Sequence, residues 1–336
     1  MKYYLNNTYS FLQGTSDCAD NYLCPQKLYF DITEDCNLFC KMCRDKISVC
    51  GRTMSIDLFK RIVEETAPYV RSYSLFNWGE PLLLKDFCDR VSFVNEKKRN
   101  DCIVDISTNG MLLSDKMIDF LFEQKVSITI SVDSADKNTF ESIRRGADFE
   151  RIIQNAEKTA YKYRNCDIRY SPEFYISIQK ENQNSVLEII KLAHSLGIRR
   201  IGCGIVIEPD KYAPTQDKEL CDELERAYYY IKEHKMFLDV FPTKVGNYVF
   251  SGERYCEASD FIVSTVCNAP LVSAVIKYSG EVYLCCNVGD FVGNISDGGS
   301  FLELWKSQRY NILRRSVNEQ SNMPDKCKKC AWFNRN

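Results

Sequence analysis

Three cysteines fall within eight residues, CNLFCKMC (36–43), where Cys36, Cys40 and Cys43 stand at i, i+4 and i+7. They follow the strand-like run KLYFDIT (27–33), so their loop leaves the end of an α/β sheet where ligands bind. A structural zinc closes with four ligands, and the chain has only two histidines, His194 and His234, both far away in sequence. Three thiolates without a local fourth partner suit an iron-sulfur cluster whose remaining iron is open to an exogenous ligand.

The compartment bears on how the other cysteines are read. The chain has 336 residues and seventeen cysteines, no apolar run of membrane-spanning length, and a start, MKYYLNNTYSFLQG, without the basic-then-apolar layout of a signal peptide. A cytoplasmic location is expected. Clustered cysteines there point to metal, and scattered ones to buried apolar thiols, because structural disulfides are rare in reducing compartments. Cys18, Cys24, Cys50, Cys88, Cys102, Cys166, Cys203 and Cys221 have no ligand spacing. Cys203 is the best candidate among them for a reactive thiol, and His194 reads as a structural residue on an apolar helix face. The net charge is -2 and the pI about 5.9, so no basic field exists to hold nucleic acid or an anionic membrane. A small-molecule or peptide substrate is the expected partner.

The elements that must position the first triplet repeat along the chain. Strand-like runs at 27–33, 73–77, 102–108, 127–133, 173–179 and 198–207 alternate with helix patterns such as SIDLFKRIVEETAPY and NSVLEIIKLAHSLG, the latter ended by Gly197. Six strand-helix units imply parallel strands with right-handed crossovers, short of the eight that close a TIM barrel. The fold expected is α/β, a partial (β/α)6 TIM-like barrel over 27–207. It would follow an N-terminal extension (1–26) and precede a linker and helix (208–255). A small α+β region (256–336) holds Cys256, Cys267, Cys285, Cys286, Cys327 and Cys330, with YSGE (278–281) marking a hairpin turn.

CNLFCKMC resembles the CxxxCxxC signature of the radical S-adenosylmethionine (SAM) superfamily, and further motifs follow in that family's order. NWGEP (77–81) is similar to the GGEP motif, with Trp78 in place of the first glycine. STNG (107–110) and SVDS (131–134) resemble the segments that contact the ribose and methionine parts of SAM, and RRG (144–146) follows them. The resemblance implies that Cys36, Cys40 and Cys43 hold a 4Fe-4S cluster. It also implies SAM contacts at Gly79, Glu80, Pro81, Ser107, Asn109, Ser131 and Asp133, with Arg144 where related enzymes often place a basic group for the SAM carboxylate. Met42 stands where the family often has an aromatic residue near the adenine; its polarizable thioether can cover a ring face.

Cys267, then GxxxxC ending at Cys285, then Cys327 and Cys330 in DKCKKC resemble the SPASM and twitch extensions, which carry auxiliary 4Fe-4S clusters. Only AWFNRN follows Cys330, so the one-cluster twitch version is the better match, with Cys267, Cys285, Cys327 and Cys330 as its ligands. Cys286 adjoins Cys285 and should face away on a regular strand, and Cys256 is a substitute ligand. A zinc site built from the same four thiols is the competing reading.

The resemblance implies reductive cleavage of SAM to a 5'-deoxyadenosyl radical, an external donor such as flavodoxin or ferredoxin, and hydrogen abstraction from a substrate carbon. Oxidation of a sugar, polyol or aminocyclitol alcohol with the auxiliary cluster as acceptor is the favoured reaction. A peptide or protein maturase is the rival, and a non-catalytic iron-sulfur or zinc scaffold the third reading. No base can be singled out, although Tyr170, Glu173 and Glu208 lie near late barrel strands.

Overall fold

The computed structural model describes residues 3–5, 24–43, 51–207, 209–257, 261–263, 267–286, 289–319, 321–328 and 330. Glu208, Cys18 and Cys50 therefore lie outside the described residues. The six expected strands form as β1 (Lys27–Asp31), β2 (Ser72–Ser74), β3 (Ile103–Thr108), β4 (Val126–Ser131), β5 (Glu173–Ile178) and β6 (Arg200–Ile205). All pair in parallel, in chain order, within an open ten-stranded sheet. The partial-barrel class is the one observed.

Local chemistry places the crossover helices. The helix Ile56–Thr66 starts where the Ser55 hydroxyl accepts the Leu58 amide at 3.2 Å, and Asp148 caps Phe149–Tyr163 in the same way. Helix Val186–Ser195 ends at Gly197, whose φ of +80° admits the left-handed turn that a side chain resists.

Both edges of the sheet carry strands that the six-unit reading does not contain. The segment 208–255 supplies helix Lys218–Glu233 and then β7 (Phe237–Val240), parallel to β6. On the other edge β8 (Ser273–Lys277) pairs in parallel with β1, residue for residue from Ser273 with Lys27 to Lys277 with Asp31. A tight turn at Gly280 (φ +81°) leads into antiparallel β9 (Glu281–Tyr283) and β10 (Phe291–Asn294). A Cβ at Gly280 would lie 2.7 Å from the Ser296 amide, so the turn needs glycine twice over. The cysteine-bearing C-terminal region is thus stitched to the barrel by backbone pairing.

Strand pleat divides the barrel residues into two sets. Leu28, Phe30, Val104, Ile106, Ile128, Ile130, Phe174 and Ile176 lie in the buried core with the helix residues Phe59, Ile62, Val91 and Ile152. Each such side chain contributes about 1.5–3 kcal/mol relative to exposure. The alternate positions, Lys27, Tyr29 and Asp31, Ser72 and Ser74, Asp105 and Ser107, Glu173, Tyr175 and Ser177, face the other way and are largely polar. They bond to one another: Ser72 and Ser74 donate to Asp105, and Arg200 reaches Glu173 at 3.2 Å. The sheet therefore has a greasy outer face and a hydrogen-bonded concave one.

Candidate functional site

The loop after β1 carries the cysteine triplet and is held by a short antiparallel ribbon, Phe39–Cys40 against Arg144–Arg145. Asn37 and Asn109 join through their side chains at 2.8 Å, and the Leu38 amide points at the Cys36 sulfur at 3.4 Å. Asn109 Nδ2 lies 4.0 Å from the same sulfur, and an Arg144 guanidinium nitrogen 3.9 Å from the Cys40 sulfur. Donors aimed at sulfur fit thiolates that carry the negative charge of a bound cluster. Burial pushes the Cys40 thiol up to about 11, and the Cys36 thiol upward also. Among the described residues neither cysteine set brings three sulfurs within 4.8 Å of one another.

The GEP segment is built to approach that loop. A Cβ at Gly79 would fall 2.2 Å from the Thr33 carbonyl oxygen and 2.7 Å from that of Asp35, so no other residue fits there without moving the β1 loop. Glu80 is buried and accepts three hydrogen bonds: from the Leu82 amide at 3.2 Å, the Thr108 hydroxyl at 2.8 Å and the Asn109 amide at 2.7 Å. It ties the GEP loop to the STNG loop. Burial raises its carboxyl to about 7, against the pull of those donors and of Arg144. Pro81 opens a buried 3-10 turn behind it. Trp78 donates its amide to Asp31 at 3.2 Å, and its indole N–H to the Asn77 side chain at 2.8 Å once that amide is oriented to satisfy its neighbours.

A cavity of about 840 Å³ opens over these loops. Of the expected SAM contacts, Met42, Gly79, Glu80, Ser107, Asn109, Ser131 and Arg144 line it, as do Cys36, Cys40 and Cys43. Pro81 and Asp133 do not. Asp133 has no exposure: its carboxylate accepts the Ser177 amide at 2.7 Å and meets the Arg144 Nε at 2.7 Å, off the hydrogen-bond line. Burial raises its pKa, with Arg144 opposing. It is a support beneath Arg144.

The far wall comes from residues that motif reading did not find. Tyr175 and Ser177 of β5, and Phe241, Pro242, Thr243 and Lys244 after β7, line the same cavity. Asp325 and Cys330 join them from the C-terminal region. The Tyr175 ring lies across β6, where a Cβ at Gly204 would sit 2.2 Å from its hydroxyl and one at Gly202 2.9 Å from its ring. Alternating glycines in GCG (202–204) were the available signal, since glycine inside a strand marks a close approach. The same alternation aligns Cys203 with the core residue Ile176; Cys203 is buried, it lines the cavity too, and burial pushes its thiol pKa up. Glu173 sits at the start of β5, at the opposite end of the strands from the cysteine loop, locked to Arg200 and Thr129. Tyr170 belongs to a 3-10 turn before that strand. His194 is exposed and bonds Tyr230 at 2.9 Å rather than lying on an apolar face.

In the second set, Cys267 is clamped by Asn318, which accepts its amide at 2.8 Å and donates to its carbonyl at 3.1 Å. Cys285 follows β9, Cys327 lies in the short helix Asp325–Lys328, and the Cys330 amide closes a turn onto the Cys327 carbonyl at 3.3 Å. Cys256 pairs with Val249 in a separate three-stranded sheet. The Cys286 thiol packs against the buried Tyr29 hydroxyl, whose pKa is raised by burial and by that thiol.

A radical SAM superfamily model matches residues 30–168, and a SPASM model, an iron-sulfur cluster-binding domain, matches 267–331. The GTP 3',8-cyclase of Clostridium perfringens (strain SM101 / Type A) is 22% identical over 246 residues, 68% of this chain and 74% of the relative. The tungsten-containing aldehyde ferredoxin oxidoreductase cofactor-modifying protein of Pyrococcus furiosus is 26% identical over 321 residues, 85% of this chain and 82% of its own. Among solved structures, Streptococcus suis SuiB bound to precursor peptide SuiA superposes with a TM-score of 0.66 at 16% identity, covering 92% of this chain and 71% of SuiB. Native anSMEcpe with bound AdoMet gives 0.63 at 18% identity, covering 92% and 88%. At those identities the likeness is one of fold. No helix among the described residues is long and apolar enough to cross a membrane. The two matched domains imply 4Fe-4S clusters and SAM as cofactors. The chain is a member of the radical SAM superfamily with a SPASM iron-sulfur domain at its C-terminal end.

Proposed function

We propose that this radical SAM enzyme oxidises a hydroxyl-bearing carbon of a sugar, polyol or aminocyclitol. The observation that carries the proposal is the shared cavity: Cys36, Cys40 and Cys43 line one part of it and Cys330 another. When bound, a cluster held by Cys36, Cys40 and Cys43 with SAM would supply hydrogen-atom abstraction through a 5'-deoxyadenosyl radical, and an auxiliary cluster held by Cys267, Cys285, Cys327 and Cys330 would supply an acceptor for the electron left on the substrate carbon. The hydroxyl proton leaves to solvent or a base, and an external flavodoxin- or ferredoxin-type carrier closes the electron balance.

The chain's own residues are assigned to binding and orientation. Gly79 lets the GEP backbone lie against the cysteine loop, and Glu80 holds the Asn109 backbone in register with it. Ser107, Ser131 and Ser177 present hydroxyls on successive strands, which suits a polar substrate as well as the ribose of SAM. Burial raises the pKa of Tyr175, so its hydroxyl stays protonated and available as a donor to a substrate oxygen. Orientation of this kind is worth more to a radical abstraction than any single contact, because the target C–H must sit against the radical carbon.

A peptide substrate is the second reading, favoured by the peptide-bound SuiB structure of the same fold. Anaerobic protein, SAM and reduced flavodoxin, offered polyols in one series and serine-containing peptides in another, separate the two. A polyol product two hydrogens lighter, formed with matching 5'-deoxyadenosine, supports the proposal. Product in the peptide series alone replaces it with the second reading, and no 5'-deoxyadenosine under any condition contradicts both.

A further inference from the structure

Arg144 occupies the position where a clamp for the SAM carboxylate is expected, yet its guanidinium is already engaged on two sides. One nitrogen lies 3.9 Å from the Cys40 sulfur, and Nε lies 2.7 Å from Asp133. The backbone fixes this arrangement, since Arg144 and Cys40 are cross-strand partners and the Lys41 amide donates to the Ile143 carbonyl at 2.8 Å. Asp133 is held in turn by the Ser177 amide and, through its own carbonyl, by the Asn182 side chain at 2.8 Å. Both charges are buried, at 6% and 0% exposure, so water does little to screen them. The Cys43 thiol and the Glu80 carboxyl also face Arg144.

We propose that Arg144 is a positioning residue that acts through Cys40: it donates to the thiolate sulfur of the first cluster and, balanced by Asp133, sets the reduction potential of that cluster. The inference rests on Cys36, Cys40 and Cys43 holding a 4Fe-4S cluster. Hydrogen bonds to sulfur and nearby positive charge favour the more negative, reduced form and so raise the potential. Asp133 works in the opposite sense on the same group. The pair therefore makes a tuner with two handles of opposite sign. A guanidinium has five N–H donors, so contact with SAM through the remaining ones is compatible with this role.

The test is redox potentiometry, followed by electron paramagnetic resonance, on the full chain without SAM, with iron content measured for each variant. Arg144→Met is expected to shift the one-electron reduction equilibrium about tenfold toward the oxidised cluster, ~59 mV more negative. Asp133→Asn is expected to shift it in the other direction, and Arg144→Lys to keep most of the wild-type value. General loosening of the loop would move both first variants the same way. Unchanged potentials in Arg144→Met and Asp133→Asn, with SAM affinity falling in the first, would make Arg144 a SAM clamp alone and overturn the proposal. Should Arg144→Met fail to retain iron, Asp133→Asn decides alone: no shift, or a negative one, overturns it. A cluster missing from the wild type, or one that forms but is unaffected by Cys36→Ala, would instead count against the cluster assignment. No substrate enters the measurement, so failure of the dehydrogenation reading leaves its outcome unaffected.

Discussion

The two cysteine regions solve the same problem in different ways. Cys36, Cys40 and Cys43 come from eight consecutive residues, and their support is buried: the charged Glu80, Asp133 and Arg144 and the polar Asn109. Cys267, Cys285, Cys327 and Cys330 come from three separate pieces of chain spread over 64 residues, and their support includes Asn318, which clamps Cys267, and the turn that joins Cys327 to Cys330. A ligand set built on one loop needs neighbours to aim it. A dispersed set is itself a staple, because whatever it binds ties those pieces together. The chemistry of the first region should therefore depend on its buried neighbours, and that of the second on its own ligands.

Removing the first set is the strongest way to separate them. Cys36, Cys40 and Cys43 all changed to Ala should abolish SAM cleavage, measured as 5'-deoxyadenosine, while the other cluster's spectroscopic signal persists. Normal cleavage would refute the assignment. The double change Cys327→Ala and Cys330→Ala should stop formation of oxidised product while uncoupled SAM cleavage continues. If substrate binding and cleavage fall together instead, the second region is a staple only. Side-by-side assay of 5'-deoxyadenosine and product decides this, provided iron analysis shows the first cluster intact.

Smaller changes sharpen the contrast. Gly79→Ala places a Cβ 2.2 Å from a backbone carbonyl and should weaken SAM binding at least tenfold by displacing the β1 loop, a loss of about 1.4 kcal/mol or more. Equilibrium binding of SAM to the anaerobic protein measures it. Glu80→Gln replaces an acceptor of three N–H and O–H donors and should cost about 1–3 kcal/mol in thermal or denaturant unfolding. The carboxyl's pKa rises from 4.5 unfolded to about 7 folded, so between those values the native state binds more protons and Glu80 makes stability fall as pH rises. Glu80→Gln should flatten that part of the stability profile. An unchanged slope would mean that Glu80 is not the titrating group.

The contrast also explains what could be read from the chain. The first triplet, the GEP and STNG loops and the six strands are local patterns, each complete within a few residues. Strands β7 and β8 take their meaning from long-range pairing with β6 and β1, which no local pattern encodes. The far wall of the cavity was hidden for the same reason: Tyr175 matters because two glycines on the next strand make room for its ring. Glu80 and Asp133 were legible as members of motifs, but their burial and their roles as struts follow only from the packing around them.

Metal analysis of the anaerobically reconstituted wild-type chain tests the central claim, that two cysteine regions facing one cavity each hold an iron-sulfur cluster. Two clusters require about eight irons and eight sulfides per chain, four of each per cluster, with zinc absent. About four irons accompanied by one zinc would contradict it.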